Sequence, residues 1–87
     1  MVYKDIDISD SETIRTFGES IDPIELMWHR DLETRRVITM EPTDWKVQLE
    51  NNLPVSINDA IIIPAGTWHR LIKGSGELVV KIIKEYE

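Results

Sequence analysis

The sequence predicts an all-β protein of antiparallel strands, a sandwich or a barrel, and three observations carry that expectation. From residue 22 onward, seven short segments are rich in β-branched and aromatic residues. The connectors between them are short and evenly spaced, and they carry Pro, Gly, Asn or Asp. Helical crossovers, which a parallel sheet requires, are absent from the pattern.

Taken in order, the first element is the one helical candidate, "SDSETIRTFG" at residues 9–18. Ser9 with Glu12 three residues on has the form of a capping box, and Gly18 is placed to stop the turn. Ile14 and Phe17, three apart, would dock such a turn against the rest of the chain. This predicts a short helical or irregular N-terminal segment over 1–23, followed by a β-barrel over 24–87.

The strands expected next are "IELMWHR" (24–30), "RRVITM" (35–40), "WKVQLE" (45–50), "VSI" (55–57), "AIIIP" (60–64), "WHRLIK" (68–73) and "ELVVKIIKEY" (77–86). In "WKVQLE", Trp45, Val47 and Leu49 share one face and Lys46, Gln48 and Glu50 the other. In the last strand Leu78, Val80 and Ile82 oppose Val79, Lys81 and Ile83, so both faces are largely apolar. Either a second subunit covers the outer face, making a homodimer, or the N-terminal segment folds over it. "GSG" at 74–76 reads as a hairpin turn and not a phosphate loop, because no helix follows it.

Bulk properties narrow the function. Eighty-seven residues make one core, burying about two thirds of the unfolded surface. Sixteen acidic against ten basic residues give a net charge of −6, a field that repels nucleic acid and anionic membrane. The absence of cysteine excludes disulfides, thiolate chemistry and Cys-type zinc sites. No basic region and apolar core open the chain, and the apolar run "AIIIPA" is far too short to span a bilayer. The expectation is a soluble, cytoplasmic protein.

Both histidines lie in the same tripeptide, "WHR", at 28–30 and 68–70. Period-two geometry separates His29 and Asp31 from Trp28 and Arg30, and His69 from Trp68 and Arg70. Each copy therefore sends a histidine to one face and a Trp–Arg pair to the other. Two imidazoles and one carboxylate, His29, His69 and Asp31, would make a facial ligand set for a divalent first-row metal with open positions for water or substrate. H-x-D alone is a common spacing.

The stretch "NDAIIIPAGTWHRLIK" (58–73) resembles the second motif of the cupin superfamily, a glycine, five residues, then P-x-G-x-x-H. Pro64, Gly66 and His69 fall on it, and Asn58 takes the place of the leading glycine, where a turn with positive φ would suit it. The first cupin motif, H-x-H followed by Glu and Gly, is matched by His29, with Asp31 at the second histidine. The glutamate position falls at Arg35 or Arg36, and the closing glycine near Pro42. The resemblance covers roughly 24–84 and implies a small antiparallel, jelly-roll-like cupin barrel.

It also implies a pocket acting on a small polar molecule. His29, His69 and Asp31 would hold Fe, Mn, Ni or Zn, which would polarise the substrate or activate water or O₂ in a dioxygenase- or isomerase-type reaction. An inward Arg35, with Glu33, which shares parity with His29 and Asp31, would orient an anionic group of the ligand. The plainer readings stand beside these. The histidines could be hydrogen-bonded barrel residues in a non-catalytic binding module or a dimeric structural protein. Asp31 could cap the "DLET" turn, and Arg35 or Arg36 could pair with Asp31 or Glu33 or simply face solvent.

Overall fold

A computed structural model of the chain describes residues 3–85. Tyr86, which the sequence assigns to the last strand, lies outside the described residues. Eight strands are formed: β1 (Tyr3–Asp7), β2 (Glu12–Phe17), β3 (Thr34–Thr39), β4 (Lys46–Leu49), β5 (Val55–Ser56), β6 (Ile61–Ile63), β7 (His69–Ile72) and β8 (Leu78–Glu85). Every pairing is antiparallel. One sheet has the order β1-β2-β8-β3-β6 and the other β5-β4-β7. After β3 the chain passes repeatedly between the sheets, which is the jelly-roll pattern the cupin resemblance implied.

The helix expected over 9–18 is a correction: Glu12–Phe17 is a strand. Ser9 does accept from the backbone N–H of Glu12, at 3.2 Å, but that bond closes the β1–β2 turn. The capping box and the tight turn share this local bond, and pairing on both sides decides between them. β2 has β1 on one edge and β8 on the other, so a helix there would forfeit two ladders. The N-terminal segment thus extends the sheet edge to edge and does not lie over β8. The short helix that does form is a 3₁₀ turn, Pro23–Glu25, capped by Asp22 and opened by Pro23 at its first position.

A second correction concerns 24–30. This stretch is no strand: after the 3₁₀ turn it touches the second sheet through one isolated bridge, His29 opposite His69. Asn58 is a third. The non-glycine residue with positive φ among those described is Asn51, and Asn58 has another job. Its side-chain oxygen accepts from the Thr43 N–H (2.9 Å) and its amide donates to the Thr43 carbonyl (2.7 Å), tying two loops together.

Between the sheets lies the core, with Trp45, Ile57 and Leu78 the largest fully buried side chains. Alternation in β4 and β8 runs as expected: Trp45, Val47, Leu78, Val80 and Ile82 are buried, and Val79, Lys81 and Ile83 are half-buried. "GSG" is also not a hairpin, since it carries the chain from β7 to β8 in the other sheet. A Cβ on Gly74 would strike the Asp44 carboxylate and the Trp45 backbone, so the close approach requires glycine there. No helix among the described residues is long and apolar enough to cross a membrane.

Candidate metal centre

The two WHR copies meet each other. His29 and His69 exchange both backbone hydrogen bonds, at 3.0 and 2.8 Å, as one hydrogen-bonded antiparallel pair. Directly opposed residues project to the same side, so both imidazoles face the barrel interior, with ring centroids 4.2 Å apart. On the other side, 28 falls opposite 70 and 30 opposite 68. Arg70 stacks 4.9 Å from the Trp28 ring and Arg30 5.2 Å from the Trp68 ring. These crossed cation–π pairs lie on a half-exposed outer surface.

Asp31 follows on the same strap. Its carbonyl accepts from the N–H of Gly66 (2.8 Å), which has φ of 77° and makes the turn that the P-x-G element implied. His29, Asp31 and His69 each bring one donor atom within 4.8 Å of the others. His29 stands at the exposed rim and His69 is buried, with Asp31 between them in exposure.

The hydrogen bonds fix which atoms are free. His29 Nδ1 lies 3.0 Å from the Met27 carbonyl and His69 Nδ1 2.8 Å from the Thr67 carbonyl, in each case two residues back. A carbonyl only accepts, so both Nδ1 atoms carry hydrogen, and the lone pair of a neutral ring so held lies on Nε2. Burial pushes the His69 imidazole below its ordinary pKa, with His29 and Arg35 acting the same way against Thr67 and Asp31, so the neutral form is favoured. His69 Nε2 then sits 3.3 Å from Asp31 Oδ2, and that buried oxygen finds no hydrogen-bond donor among the described residues. Two acceptors held face to face in a buried site call for a cation between them. Ligands on one ion with bonds of about 2.1 Å are roughly 3.0 to 3.4 Å apart for right-angle to tetrahedral geometry. The His69–Asp31 spacing falls in that range, and with His29 inside 4.8 Å the three side chains are compatible with holding a divalent ion.

Arg35 lines the same cavity. Its Nε lies 2.8 Å from Glu33 Oε1 and 3.5 Å from Asp31 Oδ2, and its Nη2 lies 2.8 Å from the same Glu33 oxygen. Its hydrogen bond to Glu33 holds that carboxyl below the usual carboxylate range. Glu33 thus engages Arg35 and is not among the cavity-lining residues. The cavity, of about 370 Å³, has mostly aliphatic walls. It also receives Arg15 from β2, a residue that the helical reading of 9–18 hid; read as a strand, that stretch turns Thr13, Arg15 and Phe17 inward together.

No family model matches the sequence, and no curated protein matches it. Solved structures do. A chain from the crystal structures of the DMSP lyases RdDddP and RnDddQII superposes with a TM-score of 0.69 at 16% identity, over 86% of this chain and 37% of that one. This protein therefore spans little more than a third of that lyase. An RmlC-like cupin with a double-stranded β-helix fold from Methanocaldococcus jannaschii gives 0.66 at 15% identity, over 95% and 77% of the two chains. A cupin domain from Bordetella pertussis gives 0.60 at 16%, over 98% and 93%. The antiparallel jelly roll, the crossing order of its strands and these superpositions agree: the chain has the cupin fold, in a small form.

Proposed function

We propose that this protein binds a divalent first-row transition metal through His29, His69 and Asp31 and acts there on a small polar molecule. The observation that carries the reading is the gathering of His29 and His69, each with Nδ1 committed to a carbonyl, around a buried, undonated oxygen of Asp31. Two histidines and one carboxylate leave coordination positions open and suit Fe, Mn, Ni or Zn. When bound, such an ion supplies Lewis-acid or redox chemistry of the dioxygenase or isomerase kind. The residues of the chain supply the rest. The Met27 and Thr67 carbonyls orient the rings, the aliphatic walls limit water, and Arg35 presents a cation to an anionic group of the ligand. The outer face of β8 carries Val79 and Ile83 half-buried, which supports a homodimer that covers it.

Metal content of untagged protein tests the reading. Near-stoichiometric metal in the wild type, lost in His29→Ala/His69→Ala, is expected; equal trace metal in both would refute it. One observation favours a second reading, a binding module without metal: Arg35 stands 3.5 Å from Asp31 and can offset its charge. Thermal stabilisation by an organic ligand with no response to any divalent metal would select that reading.

A further inference from the structure

We propose that the cavity takes a small aliphatic carboxylate, received by the guanidinium of Arg15. This names the ligand class of the site proposed above and rests on that reading only for its charge balance.

Arg15 is held as a receptor would be. Asp5 binds its Nε at 2.8 Å and its Nη2 at 2.9 Å side-on, and the Tyr3 ring centroid lies 3.8 Å from its Cζ. The pair consumes one edge of the planar fork and leaves both N–H donors of Nη1 outside it. With 18% of its side chain exposed, the group is anchored on two sides at the cavity wall, so a carboxylate can bind without ordering a flexible side chain. Burial opposes its charge, but Asp5, with Tyr3 and Asp31 adding, raises its pKa above the ordinary value and keeps it cationic.

Charge points to a monoanion. Arg15 with Asp5 and Arg35 with Glu33 are neutral pairs. A divalent ion on Asp31 then leaves one positive charge in the cavity, and a single carboxylate balances it. Glu25 lies at the exposed rim, where solvent screens it. The apolar walls include Val37, Val47, Ile61, Leu71, Val80 and Ile82, which suit an aliphatic chain and disfavour a hydrated phosphate. At about 370 Å³ the cavity is near the low end of small-molecule sites, which run from about 300 to 1,000 Å³, so the ligand is small.

The test is calorimetric titration of the untagged, Zn-loaded chain with butyrate, butyramide and inorganic phosphate. Butyrate is expected to bind at least about tenfold more tightly than either control, since a charge-assisted pair distinguishes acid from amide. Arg15→Gln is expected to remove that preference and leave zinc stoichiometry intact. Because Arg15 also ties β1 to β2, a second readout uses the wild type: the Arg15 Nε–H resonance should shift on saturation with butyrate. Equal affinity for acid and amide, tighter phosphate, or an unmoved Arg15 signal would overturn the proposal. Failure to take up zinc would instead defeat the metal reading. In metal-free protein Asp31 leaves the cavity net negative, so the preference for butyrate over butyramide is expected to weaken, while the Arg15 Nε–H resonance should still shift on saturation with butyrate.

Discussion

Replacing Asp31 with Asn should raise the stability of the metal-free protein while removing its response to metal. Asp31 Oδ2 is buried without a donor and lies 3.3 Å from the lone-pair nitrogen of His69. An unsatisfied buried polar group costs about 1–3 kcal/mol, more when charged. Arg35 at 3.5 Å offsets part of that, so the low end, about 1 kcal/mol, is the appropriate figure. Asn has the same shape, its amide can donate toward His69 Nε2, and Arg35 keeps Glu33 at 2.8 Å. For a domain of this size 1 kcal/mol moves Tm by about 4–8 °C, so metal-free Asp31→Asn should melt about that much higher. Zinc at a hundred times its Kd should stabilise the wild type by about 2.7 kcal/mol and the variant by far less, because a neutral amide is a poor ligand. The assay is thermal melting with chelator and then with zinc. A variant that melts lower than wild type in chelator, or gains as much from zinc, would refute the reasoning.

Two glycines should fail in different ways. Gly66→Ala meets no atom within 4 Å but must hold φ at 77°, so it should cost about 1–2 kcal/mol in a urea titration. Gly74→Ala drives a methyl into Asp44 and the Trp45 backbone, and should cost more, with the 74–76 loop displaced. Asp44 contributes to acid stability: the backbone N–H and then the hydroxyl of Ser75 hold its carboxyl below the usual range. Its stabilisation is complete above the unfolded carboxylate pKa and is lost as pH falls through the lower folded value. Asp44→Asn should therefore flatten the acid limb of the stability curve, and an unchanged limb would count against this assignment.

The barrel was legible where burial alternates along the chain. β8 buries Leu78, Val80 and Ile82, and Trp45 and Val47 are buried on either side of exposed Lys46; such a two-residue period is visible in sequence without knowledge of partners. The 9–18 segment was not, because Ser9 and Glu12 satisfy a helix cap and a hairpin turn alike, and the ladder to β8 is formed by residues more than about 60 positions away, from Phe17 with Leu78 to Glu12 with Ile83. That misreading concealed Arg15. His29, Asp31 and His69 do come together, but the strand parity invoked for the first two is not the cause, since 24–30 forms only one bridge. Arg35 was placed near the site by its motif position, and its pairing with Glu33 depends on the local path of the strap, which no periodicity encodes.

The repeat of Trp-His-Arg has a geometric consequence that a lone histidine pair would lack. Antiparallel pairing centred on His29 and His69 sends residue i of one copy against 98 − i of the other, so each Trp necessarily meets the other copy's Arg. The strap has few backbone bonds: the His29–His69 exchange and the Asp31–Gly66 bond tie it to the P-x-G turn and β7. Two exposed cation–π contacts worth about 0.5–1 kcal/mol each add to those bonds from outside. A one-residue slip would break both stacks and turn His29 away from the cavity. The outer Trp–Arg pairs thus favour the register that brings the two imidazoles together on the inner side.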